Sequence, residues 1–355
     1  RVLAGSVNID MIAAAAPNDK GQLRVQSEGY DLCIIDLDDL EARKEEENTT
    51  ASLLRGECAA FTQRGAALTG LDVYISSNVP KGSGVSSSAA FEVLIGVILN
   101  DCFMAEKVSP IVIAQIGQWA ENVYFGKPCG LMDQTACAVG KVITIDFKEV
   151  GHPVVREVPF DLAAKGFALC ISDTKGSHAD LTDDYAAVRR EMESVAEFFG
   201  KKVLRDVDEE TFLKAIPEVR KVTGDRAVVR AIHFYNDSRR AGEIYEAIKA
   251  DDFDRFLQLI IEGGHSSFEF NQNAYSIKNP QEQGVPLALA ISQKVLNGRG
   301  AWRLQGGGFA GTIQAFVPLA LLETYKNAID AVFGAGSCHV LSVRNYGAVM
   351  VTPDM

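Results

Sequence analysis

A glycine- and serine-rich loop reads Pro80-Lys81-Gly82-Ser83-Gly84-Val85-Ser86-Ser87-Ser88-Ala89-Ala90. It follows residues 71–79, which alternate as a strand does, and opens an apolar stretch over residues 86–100, which we predict to be a buried helix. Glycines let a backbone approach a ligand closely, and a helix N-terminus offers N–H donors to phosphate oxygens. The loop therefore predicts a phosphate-binding site. A plain helix cap at Ser86 is the alternative explanation.

A second segment reads Glu121-Asn122-Val123-Tyr124-Phe125-Gly126-Lys127-Pro128-Cys129-Gly130-Leu131-Met132-Asp133-Gln134. Pro128 and Gly130 predict a turn, which places Asp133 on the first turn of a short helix. A helix N-terminus favours an ionised carboxylate there, and such a group suits the orientation or deprotonation of a hydroxyl. Glu121, at the end of the preceding helix, is a candidate metal ligand. An ordinary helix-terminal charge is the alternative explanation for Asp133.

A third segment reads Arg303-Leu304-Gln305-Gly306-Gly307-Gly308-Phe309-Ala310-Gly311-Thr312. Glycines in this number between two predicted strands imply close backbone approach, either to a ligand or to another loop. A β-hairpin with a bulge explains the same pattern without a ligand.

Composition excludes several classes of protein. The chain has 355 residues, a length that favours two domains. Its composition, with 47% hydrophobic and 23% charged residues, is typical of globular proteins. A net charge of −12 argues against nucleic acids and anionic membranes as partners. The longest apolar run, residues 91–99, is too short to span a membrane. Seven cysteines without a C-x-x-C pair favour a reduced, cytoplasmic location.

The pattern of periodicity predicts an α+β fold in two unequal halves. Besides the two strands around the third segment, strands are predicted over residues 2–14, 23–27, 71–79, 141–147 and 168–172. Helices are predicted over residues 86–100, 185–199, 225–249 and 285–296. The acidic stretch over residues 31–48 is interpreted as a solvated connection. We place the domain boundary near residue 155, which gives domains 1–155 and 156–355.

The three segments, in this order, resemble the GHMP sugar and small-molecule kinases, and among these the galactokinases. The first resembles the phosphate loop P-x-x-x-G-L-x-S-S-A, with Val85 in place of leucine. The second is similar to the galactokinase segment A-E-x…P-C-G-[IL]-M-D-Q, which is the most specific match. The third resembles the glycine motif that supports the phosphate loop. The resemblance runs from Arg1 to about Val351.

This resemblance implies an ATP-dependent kinase that phosphorylates galactose at its 1-hydroxyl, on a two-domain fold with the active site in the cleft between the domains. It implies that Asp133 orients the 1-hydroxyl and accepts its proton. It implies Mg²⁺ held by Ser88 and Glu121, and a sugar site lined by Gly130, Asp133 and Tyr185. Contacts to the triphosphate of ATP are expected from Gly82, Ser83, Gly84, Val85, Ser86, Ser87 and Ser88.

One departure concerns the start of the chain. Galactokinases carry a signature of the form G-R-x-N-x-x-G-E-H-x-D-Y just ahead of the strand that resembles residues 2–9. Its arginine pairs with the catalytic aspartate, and its acidic residues contact the sugar. The sequence lacks this signature, and we expect it to be encoded before Arg1. The alternative is that the protein lacks it, in which case the arginine partner of the catalytic aspartate is missing.

The partners expected are ATP and galactose, with a monomer or a weak homo-oligomer as the assembly. Two other functions stay open: a kinase for another substrate, such as N-acetylgalactosamine or a non-sugar GHMP substrate, and a galactose- and ATP-binding sensor without turnover. Retention of Asp133, Glu121 and all three serines favours the enzyme, because a sensor is free to lose a group that acts only in the transition state.

Overall fold

The computed structural model describes residues 1–79, 85–149, 151–176 and 181–351. Within them the chain forms eleven β-strands and ten α-helices, which confirms the predicted α+β class. The strands are β1 (Val2–Gly5), β2 (Met11–Pro17), β3 (Gln22–Ser27), β4 (Cys33–Asp36), β5 (Leu71–Ser77), β6 (Val142–Asp146), β7 (Val154–Val158), β8 (Phe167–Asp173), β9 (Ala301–Leu304), β10 (Thr312–Pro318) and β11 (Cys338–Leu341). The helices are α1 (Thr50–Gln63), α2 (Ser87–Met104), α3 (Pro110–Ala120), α4 (Met132–Val139), α5 (Thr182–Phe198), α6 (Glu209–Thr223), α7 (Asp225–Lys249), α8 (Phe253–Ser266), α9 (Gly284–Leu296) and α10 (Leu322–Phe333).

The described residues form two compact units, named here for where most of their residues lie. The C-terminal unit comprises Arg1–Leu3 and Thr144–Ser342. The N-terminal unit comprises residues 4–79, Val85–Ile143 and residues 343–351. These units differ from the predicted domains because the chain changes unit inside β6, and its last described residues return to the N-terminal unit. The assignment of residues 1–155 and 156–355 as the two GHMP kinase domains stays a prediction.

The return of residues 343–351 depends on backbone pairing with distant parts of the chain. The N–H of Arg344 donates to the carbonyl of Ser6 at 2.9 Å, and the N–H of Lys141 donates to the carbonyl of Arg344 at 2.8 Å. A Cβ on Gly140 would lie 2.2 Å from the backbone nitrogen of Gly347, and the φ of Gly140 is +78°. Only glycine allows that approach. No local sequence pattern signals such long-range pairing.

A four-stranded sheet in the order β2-β5-β3-β4 underlies the N-terminal unit. Strands β3 and β5 run parallel, and the edge strands pair antiparallel with them. Two predictions are wrong here. Residues 2–14 form β1 and β2 rather than one strand, and the predicted solvated connection over residues 31–48 contains β4. The short β4 escaped prediction among the acidic residues although its Ile35 is fully buried.

Helix α2 confirms the predicted buried helix over residues 86–100. By length and composition it could cross a membrane, but it packs against α1, α3, α4 and β2. It also carries two buried polar side chains, Glu92 and Asn100. The Asn100 amide is satisfied by the backbone of Val108, with both hydrogen bonds at 3.0 Å. This packing identifies α2 as a core helix of the N-terminal unit.

The C-terminal unit contains a four-stranded antiparallel sheet in the order β11-β8-β10-β9. Strands β8, β9 and β10 confirm the predictions for this region, as do helices α5, α7 and α9. Gly200 follows α5 with a φ of 68°, which fits the predicted C-terminal glycine. Strand β7 was not predicted. It forms a separate three-stranded sheet with β6 and β1, in the order β1-β6-β7.

A substitution at Phe256 tests the aromatic packing of the C-terminal unit. Its ring lies 4.8 Å from that of Phe160 and 5.0 Å from that of Phe316, and the side chain is buried. Phe256→Ala leaves a cavity, so we expect the free energy of unfolding to fall by about 3–5 kcal/mol. Phe268→Ala is the control, because Phe268 is 41% exposed. Thermal unfolding measures both, and equal losses would contradict the packing described here.

Candidate functional site

The predicted phosphate loop is described only in part. Residues 80–84 lie outside the described residues, and the predicted ATP contacts of Gly82, Ser83 and Gly84 lie there with them. From Val85 the loop leads into α2, which begins at Ser87. The first N–H groups of a helix have no partner within that helix, so this end of α2 has the donors that phosphate oxygens bind.

Ser86 joins the phosphate loop to the second segment. Its backbone is left-handed, with φ 56° and ψ 61°, and its side chain makes no capping hydrogen bond to α2. The hydroxyl instead donates a hydrogen bond to the carboxylate of Asp133. The alternative explanation of a plain side-chain cap at Ser86 is therefore wrong. A strained residue aimed at a carboxylate is typical of functional sites.

The backbone of Ser86 gives a testable ordering of two variants. Ser86→Ala and Ser86→Gly both remove the hydroxyl, but only glycine adopts a positive φ without strain. We expect the glycine variant to exceed the alanine variant in free energy of unfolding by about 1 kcal/mol. At Ser194, inside α5, the order should reverse because glycine disfavours a helix interior. Thermal melts of the four variants measure this, and alanine above glycine at both positions would contradict it.

Asp133 lies where the sequence predicts it, on the first turn of a short helix. Helix α4 begins at Met132, and Asp133 is its one acidic residue in that turn. The carboxylate is half-buried, beside the N–H groups of the helix end, which favour negative charge. Gly130 precedes the helix, and a Cβ there would have nothing within 4 Å. Its backbone is thus open to solvent, and its predicted place in a sugar site stays a prediction.

The carboxylate of Glu121 is buried and has several hydrogen-bond donors around it. It caps α3 and begins a π-helix over Glu121–Phe125, and its side chain is 3% exposed. Oxygen Oε1 accepts from Lys127 Nζ at 3.2 Å, and Oε2 accepts from Gln134 Nε2 at 3.1 Å. The thiol of Cys129 also bonds to this carboxylate; burial and that bond raise the pKa of the thiol. Single π-turns inside helices are frequent at functional sites.

Two further carboxyl groups next to this cluster were not predicted as site residues. Glu57 of α1 and Glu92 of α2 are each 1% exposed. Oxygen Oε2 of Glu92 accepts from Gln134 Nε2 at 2.9 Å. Neither oxygen of Glu57 has a hydrogen-bond partner among the residues that the structure describes. The signal for Glu92 was present, since it is the one charge in the predicted buried helix.

Burial changes the protonation of both groups. It raises the pKa of Glu57 well above its ordinary value of 4.5, and the neighbouring Glu92 raises it further. Burial also raises the pKa of Glu92 to about 8, with the charge of Glu121 as the next cause. Burial therefore favours the neutral form of both groups.

These shifts predict how stability depends on pH. A carboxyl whose pKa is higher in the folded chain binds extra protons there, so the free energy of unfolding falls as the pH rises from about 4.5 towards 8. Glu57→Gln removes one such group. The melting temperature of this variant, relative to that of the wild type, should increase as the pH rises from 5 to 8. Glu45→Gln, at an exposed position, is the control and should keep a constant offset. A constant offset for Glu57→Gln as well would contradict the raised pKa of Glu57.

The glycine motif and Tyr185 lie in the C-terminal unit. The hydroxyl of Tyr185 donates to the carbonyl of Gly308 at 2.8 Å, and its ring meets that of Phe309 edge-on at 5.4 Å. A Cβ on Gly307 would lie 2.8 Å from the ring of Tyr185, and one on Gly308 would lie 2.1 Å from the carbonyl of Asn273. In the described residues these glycines thus permit close approach to other parts of the protein. The predicted contact of Tyr185 with sugar stays a prediction.

The chemistry of Glu121 and Ser88 fits Mg²⁺. Among the described residues no three His, Cys, Asp or Glu side chains form a group that could hold a metal ion. The Mg²⁺ ion of a kinase needs fewer protein ligands than such a group provides. Substrate phosphates and waters supply most of its oxygen ligands, so one or two carboxylates from the protein suffice. The ion partner of Glu121 is Lys127, whose side chain is 60% exposed. A divalent cation can therefore take the place of that ammonium group.

Comparisons with known proteins agree with the fold. Residues 52–141 match the family model "GHMP kinases N terminal domain". The fold matches that of a Lactococcus lactis galactokinase solved with galactose, with a TM-score of 0.80 and 22% identity over 97% of this chain and 88% of that one. It also matches the mevalonate kinase of Methanococcus jannaschii, with a TM-score of 0.61 and 12% identity over 97% of this chain and 91% of that one.

The fold is therefore that of the GHMP kinases, which confirms the predicted fold class. A galactokinase from Streptomyces coelicolor is 30% identical over 329 residues, which cover 91% of this chain and 81% of the relative. Within the GHMP kinases the chain belongs to the galactokinase family, as its second segment indicated.

Proposed function

We propose that this chain transfers the γ-phosphoryl group of ATP to the 1-hydroxyl of galactose. The observation that carries the proposal is the hydrogen bond between Ser86 and Asp133. It joins the end of the predicted phosphate loop to the predicted catalytic carboxylate within one compact unit. A hydroxyl held by Asp133 would thus lie next to phosphates bound at the N-terminus of α2, as direct phosphoryl transfer requires.

The donor side of the site is the beginning of α2. Backbone N–H groups there and the hydroxyls of Ser87 and Ser88 bind phosphate oxygens, and the positive end of the helix dipole favours their charge. Ser88 and Glu121 would hold Mg²⁺, which neutralises charge on the β- and γ-phosphates when it is bound. Phosphoryl transfer depends mainly on such positioning and charge neutralisation.

The acceptor side is Asp133. Its Oδ2 accepts the hydrogen bond from Ser86, which leaves Oδ1 for the sugar hydroxyl. Asp133 accepts the proton of that hydroxyl while the hydroxyl oxygen of the sugar bonds to the γ-phosphorus. The bond between the γ-phosphorus and the β,γ-bridging oxygen breaks, and ADP leaves with the bridging oxygen. The products are ADP and galactose 1-phosphate.

The choice of galactose follows the relatives. The Streptomyces coelicolor protein is named a galactokinase, and the Lactococcus lactis enzyme was solved with galactose. We also propose a cytoplasmic location, which the odd number of cysteines without a regular framework supports.

Asp133→Asn tests the catalytic assignment. The change removes the charge and keeps the volume, so we expect kcat to fall by about 10²-fold or more, with ATP affinity and melting temperature nearly unchanged. Asp225→Asn is the matched control, because Asp225 is also on the first turn of a helix but is exposed. A variant at Asp133 that keeps the wild-type kcat would exclude this carboxylate as the base.

The substrate is tested by ADP release over galactose, N-acetylgalactosamine, glucose and mevalonate. The assay uses the 355-residue chain and, beside it, the full product of its gene. We expect galactose to give the highest kcat/KM, with ATP consumed only in the presence of Mg²⁺. Release with N-acetylgalactosamine or mevalonate alone would move the substrate elsewhere in the GHMP kinases. Galactose binding without ADP release from the full gene product would instead indicate a sensor.

A further inference from the structure

One side-chain amide lies between two buried carboxyl groups. Gln134 is 2% exposed and directly follows Asp133 on α4. Its Nε2 donates to Oε2 of Glu92 at 2.9 Å and to Oε2 of Glu121 at 3.1 Å. The same nitrogen also lies 3.7 Å from Cys129 Sγ. An amide nitrogen carries two hydrogens, and the two shorter contacts are those to the carboxyl groups. Gln134 takes no part in the proposed transfer of the phosphoryl group.

The chemistry of an amide suits this position. A lysine or arginine would bring a charge into the cluster and oppose a metal cation at Glu121. A second carboxylate would repel Glu121. The neutral amide donates to both partners without changing the net charge.

Among the described residues the ion partner of Glu121 is Lys127. The Lys127 side chain is 60% exposed, and its ammonium group donates to Oε1, where a metal cation would compete with it. Gln134 donates to the other oxygen, Oε2, so a cation that replaced Lys127 at Oε1 would not require that bond to break. The same amide is fixed by a second buried contact, to Glu92.

We propose that Gln134 is a positioning residue that holds the carboxylate of Glu121 in place for the Mg²⁺ of Mg-ATP. The inference rests on the proposed function only for the role of Glu121 as a metal ligand, and not for the identity of the sugar. Asp133 and Gln134 thus act on different partners from adjacent positions, Asp133 on the acceptor hydroxyl and Gln134 on Glu121. Groups that hydrogen-bond a metal ligand typically change metal affinity by about 10–100-fold when they are removed.

The test is calorimetric titration of ATP, without sugar, in the presence and absence of Mg²⁺. The variants are Gln134→Met, which keeps the volume and loses both donors, Glu121→Gln, and the double variant. We expect Gln134→Met to weaken Mg-ATP binding by about tenfold or more, with Mg²⁺-free ATP binding unchanged. The control is Gln118→Met, because the Gln118 amide donates to the backbone carbonyl of Cys129 at 3.2 Å. It should stay within about twofold of wild type.

The double variant shows whether Gln134 acts through Glu121. In the Glu121→Gln background, Gln134→Met should change Mg-ATP affinity no further, because the group that it positions has gone. Additive losses would overturn the proposal, and so would a Gln134→Met affinity equal to wild type. Mg-ATP affinity unchanged by Glu121→Gln would overturn both the inference and the metal assignment.

Folding and sugar choice are separated from this test by two further measurements. If Gln134→Met does not melt cooperatively, Gln134→Asn replaces it, since it keeps an amide but is one methylene too short to bridge both carboxyl groups. The same loss of Mg-ATP affinity is expected, and a wild-type affinity would overturn the inference. A protein that shows the coupled loss but phosphorylates no galactose would refute the proposed sugar and leave Gln134 in its role.

Discussion

Three glutamate side chains buried in one helical cluster set the strongest constraint on the N-terminal unit. Glu57, Glu92 and Glu121 come from α1, from α2 and from the end of α3, and carboxylates this close and this dry cannot all be ionised. Burial favours the neutral form of Glu57 and Glu92, and Glu121 accepts hydrogen bonds from Lys127 and Gln134.

The arrangement of α4 follows from this constraint. Adjacent residues on a helix point in different directions, so Asp133 and Gln134 serve two partners from one turn. Asp133 meets Ser86 at the N-terminus of α2, and Gln134 reaches the buried glutamates. A short helix after the Pro128–Gly130 turn thus holds the proposed catalytic carboxylate on its half-buried side and a buried amide on its inner side. Two residues adjacent in the sequence, Asp133 and Gln134, thus contact two different parts of the N-terminal unit.

The sequence predicted the parts of the fold and the site that depend on local pattern. Helix α2 was evident because Ser86 and the apolar residues after it form one continuous run, and α4 was evident because Pro128 and Gly130 mark its start. Strand β4 was missed because its one fully buried residue, Ile35, lies among acidic neighbours. Glu57 and Gln134 were missed because their roles depend on which helices pack together, and no spacing within the chain encodes that.

Ser86 shows a further limit of local pattern. A serine before a helix predicts a cap, yet its left-handed backbone turns the hydroxyl to Asp133, a residue 47 positions away. The return of residues 343–351 to the N-terminal unit is of the same kind, since it depends on backbone pairing with Ser6 and Lys141.

A crystal structure of this chain with Mg²⁺ and a non-hydrolysable ATP analogue tests the central claim most directly. The account predicts the metal within coordination distance of a Glu121 oxygen and of the Ser88 hydroxyl, about 2.0–2.1 Å. It also predicts that Gln134 keeps its hydrogen bond to Glu121, that Lys127 leaves, and that the γ-phosphate faces Asp133. A nucleotide bound away from the N-terminus of α2, or a metal that leaves the Glu121–Lys127 ion pair intact, would contradict it.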